Sequence, residues 1–274
     1  MARNQGHNFG HLKALDTSQT TIATPENLIT IVIPTIANSP TLETAIKGWQ
    51  WQDTPVQIIV IDTGTERIDA MRLEAAIHQP NKVDIVRLAP RIWKRLSSRV
   101  AAAIDLAIAI TETELAILTH DDVFVKTRDT ITKLKAALYR RNTVAAGYEM
   151  SPRSHITDQW KGMVSHTLTI LNVHDIRAEN LRWSLRDAEV HKDCEHHGPA
   201  WPDTETAFGL RMNELGLTPE FVGHETNDPH FEDDWICHRR SLTSHRFLWP
   251  ELAAKDDAWQ QQTIARFEAL YDGN

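Results

Sequence analysis

Short unbroken apolar runs alternate along the chain with longer stretches in which apolar residues recur at helical spacing. LITIVIP (28–34), VQIIVIDTGT (56–65), VDIVRL (83–88) and LAILT (115–119) are such runs, rich in Ile, Val and Leu and suited to strands covered on both faces. Between them the pattern predicts a helix opened by Ser39 and Pro40 and reaching Trp49 or Trp51, a second from Glu66 to His78, and a third from about Trp93 to Ile110. Strands alternating with helices of this length form βαβ units. An α/β fold is therefore expected, with a mostly parallel central sheet and helices on both faces.

Beyond a helix near 128–141 the alternation weakens. TVAAGYEM (143–150), MVSHTLTILNV (163–173) and TPEFVGHE (218–225) read as further strands, and 185–202 as a His-rich loop. DTETAFGLRMNELG reads as a helix stopped by Gly216, and the last twenty or so residues as an amphipathic helix packed back on the body. Residues 1–26 are polar and aperiodic, the mark of a flexible N-terminal arm. The expected organisation is an arm at 1–26, one domain at 27–248 with halves 27–125 and 126–248, and a C-terminal helix at 249–274.

The chain has 274 residues, 41% of them hydrophobic, enough to bury a core. Its 29 Lys and Arg against 37 Asp and Glu give a formal charge of −8, which argues against a generic nucleic-acid coat. No run approaches a membrane span and the N-terminus lacks a secretory h-region, so no membrane insertion and a cytoplasmic location are expected. Cys194 and Cys237 give no disulfide framework.

The informative stretch is LAILTHDDVFV (115–125), in which a buried-type run ends in a histidine and two aspartates before turning apolar again. Ligands of parallel sheets bind beyond the carboxyl ends of the strands, where Asp62 also falls. Residues two apart on a strand point the same way, so His120 and Asp122 can face one ion. A carboxylate with an imidazole suits Mn²⁺ or Mg²⁺, and the imidazole tilts the choice towards Mn²⁺. In isolation the same residues would serve equally to cap a helix or build a surface turn.

The order of LITIVIPT, VQIIVIDTGT, the Ala-rich SSRVAAAIDLAIA and LAILTHDDV resembles family 2-like glycosyltransferases of the GT-A fold, over about residues 28–225. Those enzymes carry a VIPT strand, a strand ending in VDDGS, a helix with an AARN-like stretch, and a strand ending in Asp-x-Asp. The chain departs from the pattern at Thr63, at Ile104 and Asp105, and at His120, which stands where the first Asp of a DXD-like motif is usual. The resemblance implies a GT-A-like, Rossmann-type sandwich, with 27–125 as the nucleotide-sugar half and 126–248 as a smaller acceptor-side region. It implies a metal-dependent, inverting transfer of a sugar from a nucleotide sugar, UDP by default, to a hydroxyl acceptor. Pro34, Thr35 and Asp62 would line the nucleoside pocket, although Asp62 is equally a turn aspartate beside Gly64. Asp122 would hold the metal, with His120 and Asp121 close by.

WPDTETAFGLRMNELG resembles the acceptor-side segment of the same family, and aligning Leu215–Gly216 with its Ala-Gly places Glu205 at the catalytic base. A hydroxyl is a poor nucleophile and needs a carboxylate to take its proton; Asp203 is the rival. Without the first cluster, both acids would be read as complements to their helix dipole. A histidine after the acceptor helix often closes the metal shell in this fold. His224 is the first choice, with His230 and His238 as rivals. Arg99, with Lys94, Arg95, Arg239 and Arg240, is a candidate diphosphate partner, and Trp160, Trp183 and Trp201 are candidate acceptor platforms. A zinc site of His191, Cys194, His196 or His197 and Cys237 is a weaker reading, since its spacing matches no ordinary finger.

Two other functions compete. A nucleotidyltransferase making nucleotide sugars shares the sheet and the acids, but PTIANSP has no glycine for a phosphate loop. A catalytically inactive nucleotide- or glycan-binding relative would explain His120 in place of Asp. The acceptor is left open among a glycan, a protein, a small molecule and a hydroxylated nucleic-acid base.

Overall fold

The computed structural model describes residues 27–35, 39–63, 83–88, 96–150, 162–184, 204–226, 228–239 and 250–273. The apolar runs form the expected strands β1 (Ile29–Thr35), β2 (Val56–Asp62), β3 (Val83–Arg87) and β4 (Leu115–Thr119). Helix α1 (Leu42–Gln50) begins two residues later than its Pro40 suggests. Ser39 contributes its backbone carbonyl to Leu42 N (3.1 Å) and its hydroxyl to Thr41, so Pro40 and Thr41 form the turn into the helix. The helix expected at Glu66–His78 lies outside the described residues.

The Ala-rich helix is α2 (Leu96–Ile110). Its buried Ala101, Ala103 and Ala107 let it lie close against β1 and β2, with Ile104 and Ile108 packed on Val32, Ile59 and Ile61. Asp105 is used structurally: its carboxylate accepts from Trp183 N (2.8 Å) and Ser184 N (3.1 Å), tying that strap to the helix.

The three-residue strand β5 (Val123–Val125) follows β4 directly. Then come α3 (Thr130–Arg141), β6 (Ala145–Glu149), β7 (Val164–Asn172), the short helix α4 (Val173–Ala178), α5 (Thr204–Glu214) and β8 (Glu220–His224). The chain closes with β9 (His230–Glu232), β10 (Ile236–Arg239) and α6 (Pro250–Asp272). Gly216 follows α5 at φ +69°, the left-handed turn expected of a helix stop.

The main sheet has seven strands in the order β3-β2-β1-β4-β7-β6-β8. All run parallel except β7, which is antiparallel to both of its neighbours. One face packs on α1, α3 and α6 through Ile31, Ile33, Ile58, Val60, Ile117 and Phe267; the other carries α2 and α5. The second sheet, β5-β10-β9, is antiparallel and was not evident in the sequence. It explains why the apolar pattern resumes after the acids. The chain leaves the large sheet at Thr119, turns with Val123 N on His120 O, and enters the small sheet as Val123–Val125, buried beneath α1 and α6. His120, Asp121 and Asp122 therefore occupy the crossing between two sheets.

Candidate active site

Six strands deliver polar groups to one edge. β1, β2 and β4 end there at Thr35, Asp62 and Thr119, and parallel β6 and β8 at Glu149 and His224. Antiparallel β7 starts there, which adds Ser165 and His166.

At the centre, Asp122 Oδ1 lies 3.5 Å from His238 Nε2 and 3.9 Å from His120 Nδ1. One ligand atom from each of the three residues fits within a 4.8 Å group. The register of the small sheet builds this arrangement: His238 pairs with Val123, and Arg239 N donates to Asp122 O at 3.4 Å. Asp122 and His238 are buried, yet Asp122 Oδ1 and both ring nitrogens of His238 make no hydrogen bond to a described residue. Leaving that carboxylate oxygen buried beside His238 Nε2, with neither atom hydrogen-bonded to a described residue, is costly unless a cation sits between them. The donor set of two imidazoles and one carboxylate suits a first-row divalent metal. The residues present fit a metal. His166 stands beside this group, its ring centroid 4.5 Å from that of His120.

The neighbouring residues form a second layer. Thr35 Oγ1 donates to Asp121 Oδ2 at 2.6 Å, with both residues buried, so Asp121 braces the end of β1. Pro34 and Thr35 pair with Ile61 and Asp62 in register, and Thr63 donates through N and Oγ1 to Thr35 O (2.8 and 2.9 Å). Asp62 is buried at the end of β2. Arg99 is half-buried in the first turn of α2, and its Nε makes no hydrogen bond to a described residue. Glu225, a buried acid that sequence reasoning did not single out, accepts from Ser165 Oγ at 2.8 Å.

Several sequence candidates stand elsewhere. His224 lies outside the Asp122 cluster: its side chain is 72% exposed and pairs with Glu149 Oε2 at 2.5 Å. His230 stacks obliquely on Trp259 with centroids 5.0 Å apart. Arg239 does not face an open site, because its guanidinium is buried in a bidentate pair with Asp256 (2.7 and 2.8 Å). Trp183 is no exposed platform: it is buried and stacked on Phe208 at 3.9 Å. Cys237 packs in the core, and burial pushes its thiol up to about 12, the reverse of what a metal ligand needs. Trp160, Trp201, His191, Cys194, His196, His197, Lys94, Arg95, Arg240, Asp203 and the side chain of Glu205 lie outside the described residues; the helix carrying Glu205 begins at Thr204. Its Gly209 is placed so that a Cβ would meet the Met163 side chain at 2.7 Å, which brings the helix tightly against the start of β7 at the polar edge.

No protein-family model and no curated protein sequence matches the chain. Solved structures do match in shape. Residues 1–349 of S. aureus TarS superpose with a TM-score of 0.52 at 11% identity, covering 87% of this chain and 70% of that one. The mannosyltransferase PcManGT from Pyrobaculum calidifontis, solved with GDP-Man and Mn²⁺, gives a TM-score of 0.51 at 15% identity, over 89% of this chain and 75% of its own. The chain has the GT-A glycosyltransferase fold. At these identities the likeness concerns architecture, and the GT-A sheet accounts for the polar edge described above. No described helix of this GT-A chain is long and apolar enough to cross a membrane.

Proposed function

We propose that the chain is a metal-dependent glycosyltransferase that moves a sugar from a nucleotide sugar to a hydroxyl acceptor with inversion. The observation that carries this reading is the convergence of His120, Asp122 and His238 at the carboxyl edge of a GT-A sheet, with Asp122 and His238 buried and Asp122 Oδ1 and the His238 ring nitrogens making no hydrogen bond to a described residue. His120 stands in the cluster as a donor, which favours a working site over the inactive relative that its replacement of an Asp suggested.

Asp122, His120 and His238 hold a divalent ion, Mn²⁺ before Mg²⁺ because two of the three ligands are imidazoles. When bound, that ion supplies positive charge to the donor's diphosphate. Pro34, Thr35 and Asp62 frame the nucleoside, and Asp121, held by Thr35, shapes the floor between nucleoside and diphosphate. Arg99 presents a guanidinium to the phosphates. The acceptor oxygen bonds to the anomeric carbon while the bond from that carbon to the diphosphate oxygen breaks, so the nucleoside diphosphate leaves from the opposite face. Glu205 takes the acceptor proton, with Asp203 as its alternative; a single displacement inverts the anomeric centre. UDP is the first nucleotide to test and GDP, present in the mannosyltransferase complex, the second.

The test is a thermal-shift screen of nucleoside diphosphates with and without Mn²⁺. A matching nucleotide at a hundred times its Kd adds about 2.7 kcal/mol of stability, and does so only with the metal present. The absence of a shift for every nucleoside diphosphate in saturating Mn²⁺ would overturn the reading.

A further inference from the structure

The C-terminal helix grips the small sheet that carries the metal ligands. Phe267 stacks on Phe124 with centroids 5.0 Å apart, and Tyr271 Oη donates to Val125 O at 2.8 Å, both partners lying on β5. On β10, Arg239 reaches α6 through Nη2 and Nε to Asp256 (2.7, 2.8 and 3.1 Å), with the side chains 5% and 7% exposed. Its Nη1 donates to Pro229 O at 3.2 Å. Arg239 is also the residue after His238, and its own N–H donates to Asp122 O.

Two physical points give this pair a role. A buried ion pair adds little net stability, because desolvation offsets the attraction; the apolar contacts of Phe267 and Tyr271 suffice to dock the helix. A bidentate guanidinium does fix direction, since its fork matches a carboxylate in one orientation. A metal-binding imidazole is ordinarily aimed by a hydrogen bond on its second nitrogen. The Nδ1 of His238 has no such bond to a described residue, so the ring takes its aim from its backbone, which Arg239 holds.

We propose that the Arg239–Asp256 pair is a positioning device that couples docking of the C-terminal helix to cation affinity at His120, Asp122 and His238. The inference rests on the metal site proposed above. By linkage the coupling is reciprocal: a filled site holds α6 more firmly.

The test is Mn²⁺ binding to the full-length chain, followed by electron paramagnetic resonance. Asp256→Asn raises the Kd roughly tenfold, the range expected when a supporting contact to a metal ligand is removed. The double variant Arg239→Met with Asp256→Leu, which replaces the pair by apolar groups, regains thermal stability but not affinity; it also carries the test if Asp256→Asn fails to fold. Unchanged affinity in the double variant, or affinity that recovers in step with melting temperature, overturns the proposal. Failure of the wild-type chain to bind Mn²⁺, or binding indifferent to His238→Ala, overturns the metal site itself and this inference with it.

Discussion

Asp122 carries the argument at the scale of single residues. Its Oδ1 is buried between two imidazoles at distances too long for good hydrogen bonds, an arrangement that invites a cation. His238→Ala should therefore weaken Mn²⁺ binding at least tenfold, whereas His224→Ala should leave it unchanged, since that side chain faces solvent and Glu149. A Mn²⁺ titration of both variants distinguishes them; equal losses would move the ligand away from β10. His120 and Asp122 were legible in the sequence because polar residues interrupt an apolar run there, but they face one another through the turn between β4 and β5 and not through strand alternation. His238 could only be ranked among rivals, because its place depends on pairing with Val123, far away in the chain. His166 gave no signal of its own, since it is one of several polar residues in the strand, beside Ser165, Thr167 and Thr169.

Among the elements, the long apolar strands and the Ala-rich helix were readable, since each needs only its own pattern. The three- and four-residue strands of the small sheet were not, because so short a run has no period of its own. Strand β6 shows how tightly the later strands of the large sheet are fitted. A Cβ on Gly147 would lie 2.4 Å from the backbone oxygen of Leu168 and 2.8 Å from Thr169 Cα, next to a register shift in the β6–β7 ladder. Backbone cannot swing aside as a side chain can, so Gly147→Ala should cost about 1–3 kcal/mol and displace the ends of β6 and β8. Gly216→Ala meets no atom within 4 Å but must hold φ at +69°; it should cost about 1–2 kcal/mol without touching the sheet. Urea midpoints measure both, and near-ultraviolet circular dichroism separates them.

The whole molecule has three tyrosines, and their placement predicts how it fails in alkali. Burial raises the phenol of Tyr148, reinforced by its hydrogen bond to Asp233, and burial likewise raises Tyr271 well above its ordinary value. Tyr139 is exposed, and partial desolvation beside Glu114 lifts it as well. A phenol raised by folding stabilises the folded chain fully below its unfolded pKa of about 10, and that stability drains away as pH climbs towards the folded value. Absorbance at 295 nm should show Tyr139 ionising reversibly while the fold persists, and Tyr148 and Tyr271 ionising only in a cooperative step with loss of circular dichroism. Three phenols titrating together near pH 10 with the fold intact would contradict the burial described here.

The crossing from the large sheet to the small one has a practical corollary for fragments of this chain. A cut after Gly216 leaves His120 and Asp122 on one piece and His238, Arg239 and Asp256 on the other. Neither piece owns all three residues of the proposed metal site, so trapping of an ion would signal that the two halves have found each other.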